Sequence, residues 1–333
     1  MPHAIRGFIL FVAAFSMSVP GGVLAQVPAK TKHVGYLVWS SYGARGNLEQ
    51  SWLDGMRDEG YVEGKNLVVE RRYVDGGTFD QVRAAARELA ALNPDVIVST
   101  CSPSTAAAKE ATSNSGVPVV MAFVADPVGQ GLIASYKHPG GNITGTSNQA
   151  EDTLPKMLQY LLEVVPAGTR VAVLHNTNNP VHPRLWQQVE QAAKGLGTTL
   201  VRTDVSGSSD LSAAFDTIGR EHLGGLLVLP EDNMTYNTRV QLIELVQRQR
   251  IPAIFSAREF VDIGGLMSYG ANFASSYRHT AVYVDKVLTG AKPANLPVEQ
   301  PTRFEFVVNL AAAKALGVTI PQDLVLRADD VVR

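Results

Sequence analysis

Two doubly wound α/β lobes, each built on a parallel sheet, are what this sequence predicts. Three observations point there. Short runs rich in Val and Ile alternate with helical patterns along the chain, the signature of right-handed βαβ units and a parallel sheet. That alternation runs once, pauses near residues 146–153, and restarts. About 308 of the 333 residues remain once an N-terminal segment is set aside, more than the roughly 250–300 at which one core stops growing.

The N-terminal segment reads as a processing signal. Arg6 supplies a positive start, residues 7–15 an apolar run, and Val23-Leu24-Ala25 a small-x-small cut before Gln26. A membrane anchor needs roughly 18–20 apolar residues, and Ser16, Ser18, Pro20, Gly21 and Gly22 interrupt this run. The expectation is a cleaved signal peptide at 1–25 and a periplasmic protein. The only cysteine, Cys101, cannot form an intramolecular disulfide, so the lobes must hold by packing. A net charge of -2 gives no reason to expect nucleic acid as partner.

The elements follow in order. Residues 33–39 are a nearly continuous apolar strand, as expected when helices cover both faces. Residues 47–59 are a helix with Leu48, Trp52, Leu53 and Met56 on one stripe. A strand at 66–73 follows, with Arg71 and Arg72 on a solvated edge. Thr78 and Gln81 form a capping box opening a helix to 92. Strands at 95–100 and 117–123 flank a helix at 105–113, and 142–145 is a last short strand. After the pause come helix 154–165, strand 170–175, helix 184–196, strand 199–205 and helix 211–219. Strand 225–230, helix 236–249, strand 251–256 and strand 265–269 complete the second round. Helix 277–288, closed by Gly290, leads through a Pro-punctuated connector to strand 303–308 and a short Ala-rich helix. The chain crosses between lobes near 146–153 and 268–273. The lobe bounds expected are 33–146 with 270–292, and 147–269 with 293–333.

Ligands of open parallel sheets bind beyond the carboxyl ends of the strands. The residues there are Ser40, Ser41 and Tyr42; Cys101, Ser102, Ser104 and Thr105; Asp126; Asn176 and Asn178; Glu231, Asp232 and Asn233; and Arg258 and Glu259. Most are small and polar, suited to a small polar ligand. The turn at Ser102–Thr105 opens a helix whose free N–H groups favour a carboxylate; Ser102 or Ser104 as an ordinary N-cap is the compatible alternative. Asp126 and Asp232 stand ready for an ammonium group, or serve as loop and cap residues. Trp39 and Tyr42 offer an aromatic wall, unless Trp39 is core.

Several segments carry a resemblance. Asp126-Pro127-Val128-Gly129, the stretch Gly140-Gly141-Asn142-Ile143-Thr144-Gly145, Ser268-Tyr269-Gly270 and the tail from Tyr277 to Ile320 resemble the ABC-transporter substrate-binding proteins of type I periplasmic-binding fold, the tryptophan- and tyrosine-binding kind. The likeness implies a third crossing at 291–302, hence a three-strand hinge. It adds Asn148 as a polar ligand-facing residue, and it implies a permease pair with a cytoplasmic ATPase as partners of a monomeric receptor. Two departures, the Cys101–Ser104 turn and Glu231 in place of the usual Thr, imply a pocket more negative than a plain aromatic amino acid needs.

Other classes fit less well. Gly129-Gln130-Gly131-Leu132-Ile133-Ala134 matches a dinucleotide fingerprint as a string, but Pro127 spoils the tight strand-to-helix turn. His175 and His182 have no metal-ligand spacing. Cys101 has no nearby base in sequence. A transcription regulator needs a helix-turn-helix where the export segment stands. The sequence therefore reads as no enzyme, with no metal and no cofactor. A secreted sensor subunit is the alternative, and a hydrolytic enzyme a distant third.

Overall fold

The computed structural model describes residues 31–40, 46–75 and 78–333. The export segment, Ser41 and Tyr42 lie outside the described residues. Two sheets organise the rest. The first holds β1 (Lys32–Val38), β2 (Leu67–Tyr73), β3 (Val96–Ser99), β4 (Val119–Val124) and β5 (Ile143–Ser147), all parallel, in the order β2-β1-β3-β4-β5. Its connections are α1 (Gly46–Asp58), α2 (Phe79–Ala91) and α3 (Ser102–Thr112).

The second sheet follows α4 (Ala150–Leu162). It contains β6 (Arg170–Asn176), β7 (Thr199–Val205), β8 (Gly225–Val228), β9 (Ala253–Phe255) and β10 (Met267–Gly270), joined by α5 (His182–Leu196), α6 (Leu211–Arg220), α7 (Asn233–Asn237), α8 (Arg239–Gln249) and α9 (Arg258–Asp262). The chain then returns to the first sheet as α10 (Phe273–Leu288), which packs on α1, β4 and β5. It comes back as β11 (Glu305–Asn309), α11 (Leu310–Leu316), α12 (Gln322–Arg327) and β12 (Asp330–Val332), giving the order β12-β11-β10-β9-β8-β6-β7.

Burial explains why these segments hold. Of the predicted α1 stripe, Leu48, Trp52 and Met56 are fully buried and Leu53 is partly buried, and the Trp52 ring sits 4.8 Å from that of Tyr36 on β1. Each such side chain contributes about 1.5–3 kcal/mol by leaving water. Gly55 lets α10 approach: a Cβ there would fall 2.2 Å from the Arg278 carbonyl oxygen. At Thr78 the capping box forms, with its N–H donating to Gln81 Oε1 at 2.7 Å.

Three expectations need correction. The helix expected at 154 starts at Ala150, upstream of Pro155. Asn148 Oδ1 accepts the Ala150 N–H at 2.9 Å and starts the helix there. The helix expected over 236–249 is two, α7 and α8: Asp232 caps an earlier start at Asn233, and Thr238, at φ -99 and ψ 19, leaves the helical range between them. The second sheet is not wholly parallel: β11 runs antiparallel to β10, since it arrives from α10 in the other half rather than through a βαβ crossover. Helices α9 and α12 and strand β12 were not foreseen. Arg71 does lie on an edge strand, yet it is tied to Glu49 and Glu63.

Three chain segments pass between the sheets. Asn148 and Gln149 leave β5, Ala271 and Asn272 leave β10, and the stretch from 296 to 304 precedes β11. The third first lies along β5: Ser147 donates its N–H to the Glu299 carbonyl at 2.8 Å, and Glu299 donates to that of Gly145 at 3.0 Å.

Candidate functional site

Both sheets change winding direction at their first strand, between β1 and β3 and between β6 and β8. Loops after these strands diverge and leave a crevice at the carboxyl ends. Here the two crevices face each other. A cavity of ≈ 240 Å³ is lined by Trp39, Val74 and Asp75 after β1 and β2, and by residues after β6, β7 and β8. A void of ≈ 30 Å³ adjoins it and shares Glu231, Asp232 and Asn233, with Cys101, Phe123, Tyr236 and Phe273 around it. Phe273 lies 4.3 Å from the Phe123 ring and stacks 5.9 Å from Tyr236.

The rims touch directly. Ser40 Oγ donates to Asn237 Oδ1 at 2.7 Å. At the start of α3, the Ser102 N–H and Oγ both donate to Glu231 Oε2, at 3.3 and 2.9 Å. Asn148 Nδ2 donates to Glu231 Oε1 and to the Phe123 carbonyl. An anion does sit at this helix start, as its free N–H groups favour; it is the protein's own Glu231. Glu231 has φ 62, a left-handed conformation that costs roughly 1–2 kcal/mol in a side-chain-bearing residue. Such outliers concentrate at functional sites.

The second rim is cross-linked within itself. Asn176 Nδ2 donates to Asp232 Oδ1 at 2.9 Å, and Asp232 Oδ2 caps α7 by accepting the Thr235 N–H. Asn179 Nδ2 holds the Glu231 carbonyl at 2.8 Å. His182, fully buried, accepts the Asn176 N–H at Nδ1 at 2.8 Å, so Nε2 carries the proton toward the Pro230 carbonyl at 3.2 Å. Burial lowers its pKa from 6.5 to about 4. With both nitrogens engaged, His182 has no lone pair for a metal, although His175 is 5.6 Å away.

The remaining expected residues fall in different places. Ser104 and Thr105 are fully buried inside the first turn of α3, Ser104 against Cys101 Sγ and Thr105 between Ser99 Oγ and the Cys101 carbonyl. Asp126 accepts the Gly129 N–H at 2.8 Å and pairs with Arg184 of α5, a link between the two halves. Asn178 lines the cavity while donating to the Ser206 carbonyl. Glu259 lines a separate cavity with Arg258, Asp262 and Asn47. Glu231, Asn233, Asn237 and Asp75 line the main cavity; the strand-end rule reached the first two, Glu231 stood out only as a departure adding negative charge, and Asn237 and Asp75 were not foreseen. A larger groove of ≈ 510 Å³ runs behind the crossings, by His279, Glu299 and Arg303. It is away from both switch points, so the strand-end cavity is the better ligand site.

A profile of the ABC transporter substrate binding protein family matches residues 34–332. The chain belongs to that family. It is 24% identical over 288 residues to the tyrosine-binding protein of Clostridioides difficile (strain R20291), covering 86% of this chain and 81% of that one. Among solved structures, a conserved domain protein from Vibrio cholerae superposes with TM-score 0.81 at 28% identity, covering 91% of this chain and 100% of that one. The ABC domain from Streptococcus pneumonia in complex with L-Trp gives TM-score 0.81 at 24% identity with the same coverages. The ligand-free, open structure of a substrate binding protein with adhesive properties from Clostridium difficile gives 0.61 at 21%, covering 91% and 99%. The family is one of binding proteins rather than enzymes, and the two-lobed α/β fold is the one the sequence predicts. No helix among the described residues is long and apolar enough to cross a membrane.

Proposed function

We propose that this substrate-binding protein is the exported solute receptor of an ABC importer, acting in the periplasm as a monomer after cleavage near Ala25. It binds a small polar molecule, an amino acid or a relative of one, between the rims. The observation that carries this reading is the polar cavity at the facing switch points of the two sheets. The relatives' tyrosine and L-Trp support the size and class of the solute. The three crossings serve as the hinge, dividing the chain near 147, 270 and 300. Closure is favoured only by contacts the solute makes in the shut form alone, and the shut form docks on a membrane permease. The cross-rim bonds from Ser40 and Ser102 support a shut arrangement here, as does the higher likeness to the L-Trp complex than to the open structure. A thermal-shift screen tests the reading. A solute at 100 times its Kd adds about 2.7 kcal/mol of stability, so a genuine ligand raises Tm clearly. A broad library of amino acids, amines, carboxylates, sugars and heterocycles that moves nothing refutes it.

A further inference from the structure

One side chain ties the two halves together by charge. Glu231 follows β8 in the second half, where Asn179 Nδ2 holds its carbonyl at 2.8 Å. Its carboxylate is held by the first half and by the first crossing. Ser102, at the start of α3, donates its N–H and Oγ to Oε2 at 3.3 and 2.9 Å, and Asn148 donates its Nδ2 to Oε1. Bonds to an ionised acceptor are roughly twice as strong as neutral ones, and the start of an 11-residue helix adds its dipole. Two other links across the gap are weaker in kind. Ser40 to Asn237 is a neutral bond, and the Arg184 that meets Asp126 is 44% exposed.

The donors are set before Glu231 meets them. Ser102 and Asn148 are both buried. Gln130 Nε2 donates to Ser102 Oγ at 3.1 Å, which leaves the hydroxyl proton for Glu231. Asn148 is fixed in the same way: its Oδ1 accepts the Ala150 N–H, and its Nδ2 also donates to the Phe123 carbonyl at 3.0 Å. Opening the cleft parts these buried donors from their acceptor, which is costly until water replaces it. The backbone is shaped for the contact as well. Glu231 sits at φ 62, a region that disfavours a residue with a Cβ. Such strain persists where surrounding contacts over-determine it.

We infer that Glu231 is a built-in latch that holds the cleft shut while it is empty. A solute adds to closure only what it gains in the shut form; Glu231 sets the balance from which the solute starts. This rests on the hinged-receptor reading above and adds to it the state of the empty protein.

Small-angle scattering tests it without any ligand, on purified protein dialysed through urea to remove co-purified solute and then refolded. The unaltered protein should scatter as the shut arrangement. Glu231→Gly removes the carboxylate and suits the backbone at φ 62. It should bring shut and open forms from about ten to one toward parity, raising the radius of gyration with the circular dichroism unchanged. Ser102→Ala, which takes away one of the donors, should move the radius the same way by less. An unaltered protein that is already open when empty overturns the inference and leaves the hinge standing. A folded Glu231→Gly as compact as its parent overturns it too. Should Glu231→Gly not fold, Ser102→Ala decides, and an unmoved radius there is the overturning result. No solute enters this test, so failure of the receptor reading shows separately, in the thermal-shift screen.

Discussion

The two rims of the cleft are built from similar residues and do different work. The first rim presents single groups on separate loops: the hydroxyl of Ser40, the N–H and hydroxyl of Ser102, the ring of Trp39. Ser40 and Ser102 bond across the gap, while Trp39 leans on Phe79 of its own half. The second rim is a web. Asn176, Asn179, His182 and Asp232 hold one another and the backbone at 230–232 before anything crosses the gap. The second rim is therefore the stiffer of the two, and in the proposed closure the first shuts onto it. Substitutions in the second rim should cost stability, whereas those in the first should mainly shift closure.

The largest expected effect is on the web. Asp232→Ala removes the cap of α7 and the partner of buried Asn176. Losing a cap costs about 1 kcal/mol and stranding a buried amide about 1–3, so urea denaturation should show a loss of about 2–4 kcal/mol. A loss below about 0.5 kcal/mol would make the second rim no stiffer than the first.

His182 gives the web a pH signature. Its folded pKa of about 4 lies below the unfolded 6.5, so the unfolded chain takes the proton first. Its contribution is whole above pH 6.5 and drains away as pH falls toward 4, by roughly 3 kcal/mol. His182→Gln should lessen that dependence in denaturation midpoints taken from pH 7 to 4.

Glu151, at the first crossing beside the first rim, has the opposite slope. Burial, then the charge of Asp126, raises its pKa from 4.5 to about 7. The folded state keeps the proton longer than the unfolded one, so its contribution is whole below 4.5 and is lost as pH rises through 7. Glu151→Gln should equal the parent near pH 4 and exceed it near pH 8. A parent that is as stable as the variant at pH 8 would show that the Glu151 carboxylate is solvated at the crossing.

Smallest are the links across the gap. Ser40→Ala loses one hydrogen bond to Asn237, worth about 0.5–1.5 kcal/mol. Arg184→Met breaks the pair with Asp126, whose arginine is 44% exposed; an ion pair so placed is worth about 0–1 kcal/mol. Under the proposed closure, both should change ligand affinity more than unfolding free energy, because each links the two halves.

Much of the fold was legible because the strands are buried on both faces. β4 and β8 have no exposed residue, and such runs stand out against amphipathic helices like α2 and α6. Boundaries slipped where a side chain competes with the local rule, as Asn148 does by starting α4 ahead of Pro155. At the site, the strand-end rule found the right loops but not the roles within them. Glu231, Asp232 and Asn233 are adjacent polar residues, yet one reaches across to α3, one caps α7 and one is left with an open acceptor. That division depends on the left-handed backbone at Glu231, which a sequence does not announce in a glutamate. The departure from the family's usual residue at this position hinted only at added negative charge.

A crystal structure with the strongest hit of the solute screen tests the central claim most directly. The account predicts density for the solute between Trp39 and Asn233, in contact with both rims. Density instead in the groove beside His279 and Glu299, or against one lobe with the other swung away, would contradict it.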